Sequence, residues 1–445
     1  MSGVRCFPAV VIIVLMVLVI GCVKSSVVDV EAKGTAGYWD SSLCRNCHER
    51  AYDEYIISRH SQSYTNELFQ AQYFNEIVPK ALEDPNVMDE ARKCMACHNP
   101  VAYMTLDEPI LKKKDGEMYA NNVTCDFCHT VSGIEGKRPG NANYVSSPGE
   151  KKYGPHRVDT EWHHIYSPLY AKSALCGSCH NGHNHHGFEI KTTYSEWAES
   201  IYARKDIQCQ DCHMNLLGYL SGDTPIFDAG PAAHMQIVKP PHRKNLHTHK
   251  FPGSYSTNQI TGAIKIDLKV NRREVSPGEK IDAMVSIDNR RSGHKMPTGS
   301  TEMRVMWLEL KYQGGGKDVL ISAKPYKSGA KASYEVAGAL ESDKRVLNSD
   351  IPVGCRVYRQ VFLDKDGKHT MRSYEARSSA FDNRLEAAEQ RSEEYDFRVP
   401  KVKGKLSIVA TLYYMAYPDT VAKELGVSEA KVIKVSSDSV DLLVR

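Results

Sequence analysis

Five copies of the motif Cys-x-x-Cys-His between residues 44 and 213 constrain this 445-residue chain more than any other feature. The first copy is Cys44-Arg45-Asn46-Cys47-His48, and the others end at His98, His129, His180 and His213. The ten motif cysteines are Cys44, Cys47, Cys94, Cys97, Cys125, Cys128, Cys176, Cys179, Cys209 and Cys212. In such a motif the two cysteines form thioethers to one haem and the histidine ligates its iron. The copies therefore predict five covalently bound haem c groups.

The cysteine count supports this interpretation. Of 13 cysteines, ten belong to the motifs, and Cys6, Cys22 and Cys355 remain. Ten unattached cysteines in an oxidising compartment would tend to pair, and attachment to haem removes that problem. Structural zinc sites also use Cys-x-x-Cys pairs, but they do not require a histidine directly after the second cysteine. All five pairs have one, which favours haem over zinc.

The N-terminus predicts export. Arg5 precedes an unbroken apolar run over residues 9–20, which has the length of a signal peptide and is short for a membrane span. The run ends at Gly21-Cys22, so we predict a lipoprotein signal peptide over residues 1–22, lipidation of Cys22 and a tether over residues 23–37. An ordinary signal peptide and an uncleaved anchor are the alternatives. Each of them exports the chain, and lipidation would anchor it in the periplasm, outer membrane or cell surface of a bacterium.

An electron-transfer haem usually needs a second axial ligand. Eighteen histidines less the five in the motifs leave thirteen for this role. His60 lies twelve residues after His48, about 18 Å along a continuous helix, so it is better placed to serve a different haem. His156, His163 and His164 precede the fourth motif. We favour His164 slightly, because it opens the segment leading into that motif.

Further histidines follow the fourth motif. His247 and His249 compete for one assignment, since both lie on one face of an extended segment. His294 stands in a Gly- and Pro-containing loop and would reach a haem if that loop faces the haem domain. Residues 181–187 form a histidine-rich tract that could bind a divalent metal or serve as a polar loop near haem propionates.

The motif spacing alternates. Successive first cysteines are 50, 31, 51 and 33 residues apart. Short intervals suit haems on neighbouring helices, so we expect the second and third motifs, and the fourth and fifth, to form close pairs.

The C-terminal part has a different pattern from about residue 258. Apolar and polar residues alternate with period two over residues 263–270, which predicts a strand. Further predicted strands cover residues 281–287, 306–312, 357–363, 405–414 and 431–444, and the charged residues 384–394 predict one short helix. The expected fold is multidomain α + β: a mainly helical pentahaem domain over residues 38–257, then an all-β, sandwich-like domain over residues 258–445.

The region 38–253 resembles the multihaem cytochromes related to the tetrahaem cytochrome c-554. The resemblance rests on the motifs, on Ser58-Arg59-His60-Ser61, on Tyr194-Ser195-Glu196-Trp197 and on His249-Lys250-Phe251-Pro252-Gly253. It implies a helical domain with haems in stacked and perpendicular pairs. It also implies His60 and His249 as distal ligands, together with His164 and His294. The segment from Gly293-His294 to Pro297-Thr298-Gly299 is similar to the C-terminal domains of larger exported members.

The expected function is electron transfer through mostly bis-His haems in anaerobic or extracellular respiration. Other redox proteins or extracellular electron acceptors are the expected partners, and a net charge of +3 does not indicate nucleic acid. The alternative is a reductase in which one five-coordinate haem acts on a small nitrogen or sulfur compound. Pentahaem nitrite reductases typically attach their catalytic haem through a motif with Lys in place of His. Here all five motifs end in His.

Overall fold

The computed structural model describes residues 37–113, 122–157, 163–220, 222, 224–235, 239–324, 334–339 and 351–445. The predicted signal peptide, Cys22 and the tether up to residue 36 lie outside these residues. Along the described ranges no helix combines enough length and apolar character to cross a membrane.

The N-terminal region consists of helices and small two-stranded sheets. Its helices are α1 Ser41–Arg45, α2 Glu49–Ile56, α3 Glu67–Ala71, α4 Val78–Ala81, α5 Pro85–His98, α6 Pro100–Thr105, α7 Cys125–His129, α8 Ser173–Gly177, α9 Thr193–Glu199, α10 Ile201–Arg204 and α11 Cys209–His213. Its strands pair two by two: β1 Val131–Ile134 with β2 Tyr144–Ser146, β3 Lys152–Gly154 with β4 His164–Tyr166, β5 Gly182–His183 with β6 Glu189–Lys191, and β7 Asp228–Pro231 with β8 His242–Leu246.

Each motif occupies one helical turn or the end of a helix. In the first motif the His48 amide donates to the Cys44 carbonyl at 2.8 Å, and the corresponding bond in the fourth motif joins His180 to Cys176 at 2.9 Å. Residues three and four apart share a helix face, so this turn directs both thiols and the imidazole to one side. Caps fix where the turns begin: the Thr124 hydroxyl accepts from the Phe127 amide at the start of α7.

The C-terminal region is built of sheets. Its strands are β9 Lys265–Val270, β10 Glu274–Val275, β11 Lys280–Asp288, β12 Val305–Gly314, β13 Lys317–Leu320, β14 Arg356–Tyr358, β15 Gln360–Leu363, β16 His369–Thr370, β17 Ser378–Asp382, β18 Gln390–Arg398, β19 Gly404–Met415 and β20 Ile433–Val444, with short helices α12 Thr257–Ile260 and α13 Asp419–Leu425. One sheet has the order β10-β20-β19-β12-β13, with β14 also paired to β12, and two three-stranded sheets have the orders β18-β11-β9 and β16-β15-β17.

The largest apolar core lies between two of these sheets. Leu308 on β12 faces Leu412 on β19 in register, and both pack in one cluster with Ile281 and Val285 of β11. Two sheets that share one core form a sandwich, as the alternating pattern predicts. The smaller clusters of the N-terminal region surround Tyr73 and Phe127. That region is therefore arranged around something other than a large apolar core.

Two local predictions in this region are wrong. Residues 384–394 do not form a helix, because β18 begins at Gln390 and alternates: Glu393 is buried and bonds to Arg356 at 3.0 Å, whereas Glu394 is exposed. Residues 357–363 do not form one continuous strand. The strand is interrupted at Arg359, and the segments on either side, β14 and β15, belong to different sheets. In residues 390–394 buried and exposed positions alternate, but most of them are charged or polar, so the sequence shows no alternation of apolar and polar residues.

Candidate haem-binding site

A cavity of about 1070 Å³ lies in the N-terminal region and reaches the β-sandwich. All ten motif cysteines and all five motif histidines line it. The cysteines are free, and each is only partly exposed. A cavity with ten thiols that form no disulfide and five imidazoles on its wall fits covalently attached haem, which needs those groups at those places.

Contacts between thiols show which motifs are neighbours. Cys44 of the first motif and Cys125 of the third interact, and this contact raises the pKa of the Cys44 thiol and lowers that of Cys125. The Cys97 thiol of the second motif donates to the Cys179 carbonyl of the fourth at 4.0 Å. The first motif therefore lies beside the third, and the second beside the fourth, which the intervals did not predict.

The fourth motif also contacts the fifth, as its short interval predicts. The Cys176 thiol interacts with that of Cys209, and this contact raises the pKa of Cys176. Cys128 of the third motif raises the same pKa through its nearby charge. The fourth motif thus lies beside the second, third and fifth.

Four motif histidines each have a second histidine ring opposite them. The ring centres are 6.1 Å apart for His48 with His163, and 6.3 Å apart for His180 with His60, His129 with His249 and His213 with His294. An iron held between two imidazole nitrogens at about 2 Å from each would separate the ring centres by roughly 6 Å. The four pairs therefore have the spacing of bis-His ligation.

Backbone carbonyls orient the motif rings. The Nδ1 atoms of His48, His98 and His129 lie 2.9, 2.7 and 2.7 Å from the carbonyls of Ala232, Ser63 and Tyr153. A carbonyl can only accept, so Nδ1 carries the proton and Nε2 keeps its lone pair for a metal.

Burial keeps four of the facing imidazoles neutral. It lowers the pKa of His60 and His213 to about 4, and the pKa of His180 and His249 to about 3. A neutral imidazole is the form that ligates iron, so the buried rings are in the state that ligation needs.

The structure places three of the four predicted distal histidines opposite motif histidines. His60, His249 and His294 lie opposite motif histidines, but His163 takes the position that we expected for His164. The Nε2 of His164 instead lies 2.5 Å from the carbonyl of His156. Neighbouring residues of an extended segment point to opposite sides, so a shift of one residue exchanges the two roles.

His98 differs from the other four motif histidines. Within the described ranges its ring contacts include no histidine; the ring stacks on Phe69 at 4.0 Å, with 11° between the planes. The Lys191 ammonium lies close enough to contribute to the low pKa of His98, which burial chiefly sets at about 3. Sequence reasoning did not select Phe69 or Lys191, since neither stands in a recognisable motif.

Glu302 is a second group that the sequence did not reveal. It lines the cavity near Lys191, and burial raises the pKa of its carboxyl to about 7. Its Oε2 atom is buried, and none of the described residues donates a hydrogen bond to it. The cavity wall near the second motif is therefore polar.

The histidine-rich tract is tied to neighbouring protein groups. His185 Nδ1 lies 3.3 Å from Glu90 Oε1, and the Asn184 amide donates to the carbonyls of Ser373 and Ala376 in the β region. Among the described residues no group of three or more His, Cys, Asp or Glu side chains could hold a metal ion. These contacts favour the polar-loop interpretation.

Comparison with known proteins gives two matches that bear on the chain. Residues 43–130 match the family described as Cytochrome c554 and c-prime. The penta-heme cytochrome c552 of Thermochromatium tepidum has a similar structure, with a TM-score of 0.62, 18% identity, and coverage of 92% of this chain and 100% of that one. The shared fold therefore includes the sheets as well as the motif-bearing region.

The other matches are weak. The sporulation control protein Spo0M of Bacillus subtilis is 12% identical with a TM-score of 0.17, over 41% of this chain and 50% of that one. The alkylpurine DNA glycosylase AlkC of Pseudomonas fluorescens is 9% identical with a TM-score of 0.16, over 43% and 34%. TM-scores this low do not indicate a shared fold. No curated protein matches the sequence.

Proposed function

We propose that the chain, which matches a multihaem cytochrome family over residues 43–130 and shares the fold of a penta-heme cytochrome, transfers electrons through five covalently bound haem c groups, at least four of them ligated by two histidines. The observation that carries this proposal is the set of four histidine pairs at 6.1–6.3 Å inside one cavity that ten motif cysteines line. When bound, haem supplies an iron that changes reversibly by one electron.

The chain's own residues would hold and insulate that iron. Each facing pair of imidazoles would hold one iron and leave no position free for a substrate, which would suit conduction rather than catalysis. Carbonyls such as those of Ala232 and Tyr153 fix the motif rings through Nδ1, so little has to move when the charge changes.

The motif contacts support a branched path. The first motif lies beside the third, the third beside the fourth, and the fourth beside the fifth, while the second joins at the fourth. The fifth motif borders the β-sandwich, whose His294 faces His213. We place the exit of electrons there.

The cellular setting is also part of the proposal. Export follows from the apolar run over residues 9–20, and Cys22 is the proposed lipidation site. The protein would then be anchored in the periplasm, outer membrane or cell surface of a bacterium and exchange electrons with other redox proteins or extracellular acceptors.

A second candidate function is favoured by one observation. His98 faces no described histidine, and Lys191 and Glu302 make the nearby wall polar. A five-coordinate haem at this motif could reduce a small nitrogen or sulfur compound, since an open axial position admits a ligand.

Electron paramagnetic resonance of the haem-loaded protein, combined with a redox titration, tests both candidates. Conduction alone predicts low-spin signals and several one-electron steps, with reduction by a partner cytochrome. The reductase candidate adds one high-spin signal and turnover of nitrite or hydroxylamine. Fewer than four low-spin haems per chain would contradict the bis-His proposal.

A further inference from the structure

The loop that carries His294 is held by the segment around Leu385. The amides of Met296 and Leu385 bond to each other's carbonyls at 2.8 and 2.9 Å. The Asn289 side chain donates to the His294 carbonyl at 3.4 Å and to the Leu385 carbonyl at 3.3 Å. The position of His294 is thus set by the chain segment that contains residue 384.

Arg384 extends from that segment into the boundary between the two regions. Its side chain is 2% exposed and donates to Glu196 Oε1 at 2.8 Å, to the Pro297 carbonyl at 3.2 Å and to Asp382 Oδ2 at 2.9 Å. A guanidinium holds several acceptors in one fixed geometry, so Arg384 joins the His294 loop to the haem-binding region.

Glu196 receives this contact on α9, between the fourth and fifth motifs. Its side chain is 5% exposed, and its second oxygen accepts from the Thr298 hydroxyl at 2.9 Å. The next residue, Trp197, donates from its indole to the Ile207 carbonyl at 2.8 Å, just before the fifth motif. One carboxylate therefore contacts the loop of His294 and belongs to the helix that leads to His213.

We propose that the buried ion pair between Arg384 and Glu196 positions His294 over His213, and thereby sets the axial ligation and reduction potential of the fifth haem. The inference rests on the proposed function. Arg384 and Glu196 are positioning residues, because they act through the loop and touch neither ring. The β-sandwich thus supplies a ligand together with the clamp that fixes it.

The test uses the full-length, haem-loaded protein and compares Arg384→Met with His294→Ala. Both should add one high-spin haem to the number in the unaltered protein and shift one step of the redox titration. Arg384→Lys keeps the charge without the guanidinium fork and should recover part of the low-spin population.

Two further variants separate positioning from loss of stability. Arg356→Met removes similarly buried ion pairs, to Glu393 and Glu335, which do not involve the His294 loop, and should leave the spin state and potential unchanged. If Arg384→Met does not fold, the double variant Glu196→Gln with Arg384→Met avoids the unpaired buried carboxylate and carries the same expectation.

The results for His294→Ala and Arg384→Met test the ligand role of His294 and the positioning role of Arg384 separately. If His294→Ala leaves the spectrum unchanged, the ligand assignment within the proposed function fails. If His294→Ala adds a high-spin haem while Arg384→Met and the double variant both retain the original spin state and potentials, the positioning inference is overturned and the ligand assignment stands.

Discussion

The ring of His163, and not that of the adjacent His164, faces His48 at 6.1 Å. His164 lies in β4 and turns its Nε2 toward the His156 carbonyl. Because both residues are histidines and adjacent in the sequence, substituting each in turn gives a matched pair of variants that tests the ligand of the first motif. His163→Ala should convert one haem from low spin to high spin, whereas His164→Ala should not. Electron paramagnetic resonance measures both, and the reverse result would restore His164 as the ligand.

The second motif predicts a ligand-accessible iron. His98 stacks on Phe69 and faces no described histidine. We expect the reduced, haem-loaded protein to bind carbon monoxide at one haem per chain, and the His294→Ala variant to bind it at two. Titration followed by absorbance gives the stoichiometry. No binding to the unaltered protein would mean that another side chain completes this site.

Thiol counting tests attachment and lipidation together. Ten cysteines lie in motifs and would become thioethers, a lipidated Cys22 has no free thiol, and Cys355 is buried and free. Mature protein in denaturant should therefore react with a thiol reagent at one site. Two sites would contradict lipidation, and eleven or more would contradict haem attachment. Burial raises the pKa of Cys355 to about 12, so this thiol should be unreactive in the folded protein.

The sandwich core sets the stability of the C-terminal region. Leu308 is 0% exposed between the sheets, so Leu308→Ala should lower the free energy of unfolding by about 2–5 kcal/mol. Leu443→Ala is the control, since Leu443 is 47% exposed and its truncation should change that free energy by less than about 0.5 kcal/mol. Urea denaturation followed by tryptophan fluorescence and circular dichroism gives both values. Equal losses would contradict the assigned core.

Acid should weaken the sandwich through His369, which is not among the proposed ligands. Burial and, to a smaller extent, the nearby Arg359 charge together lower its pKa to about 4. The unfolded chain, with a pKa near 6.5, binds a proton that the folded chain excludes, so stability falls as pH drops from about 6.5 to 4. The loss should be about 1–3 kcal/mol. In a His369→Gln variant this part of the pH dependence should disappear from urea denaturation curves.

Sequence reasoning succeeded where the signal is local. The ten cysteines and five histidines of the motifs reach one cavity because a single helical turn directs them there. The alternating strands formed a sandwich because a period of two describes one buried face. The contacts between motifs were harder to predict: the second lies beside the fourth, and the third beside the first, although the intervals favoured the second with the third.

Three features depended on tertiary structure. Whether His163 or His164 faces His48 depends on which way each of these adjacent side chains points. The strand over residues 390–398 was not predicted, because its buried residue Glu393 is charged and pairs with Arg356. In the sequence, a buried charge that is paired cannot be told from a charge on the surface. The contact of Glu196 with Arg384 joins residues that no local pattern relates.

If the chain is exported as proposed, the four histidine pairs also imply an order of assembly. In each pair the two residues lie far apart in the sequence, so the one that emerges first must wait for the other. His163 and His180 complete the earliest pairs, His249 follows, and His294 arrives only after the first strands of the sandwich. The proposed exit haem would then be the last to acquire its second ligand. A chain that ends before residue 294 would contain the other three histidine pairs, but its fifth haem would lack the second histidine.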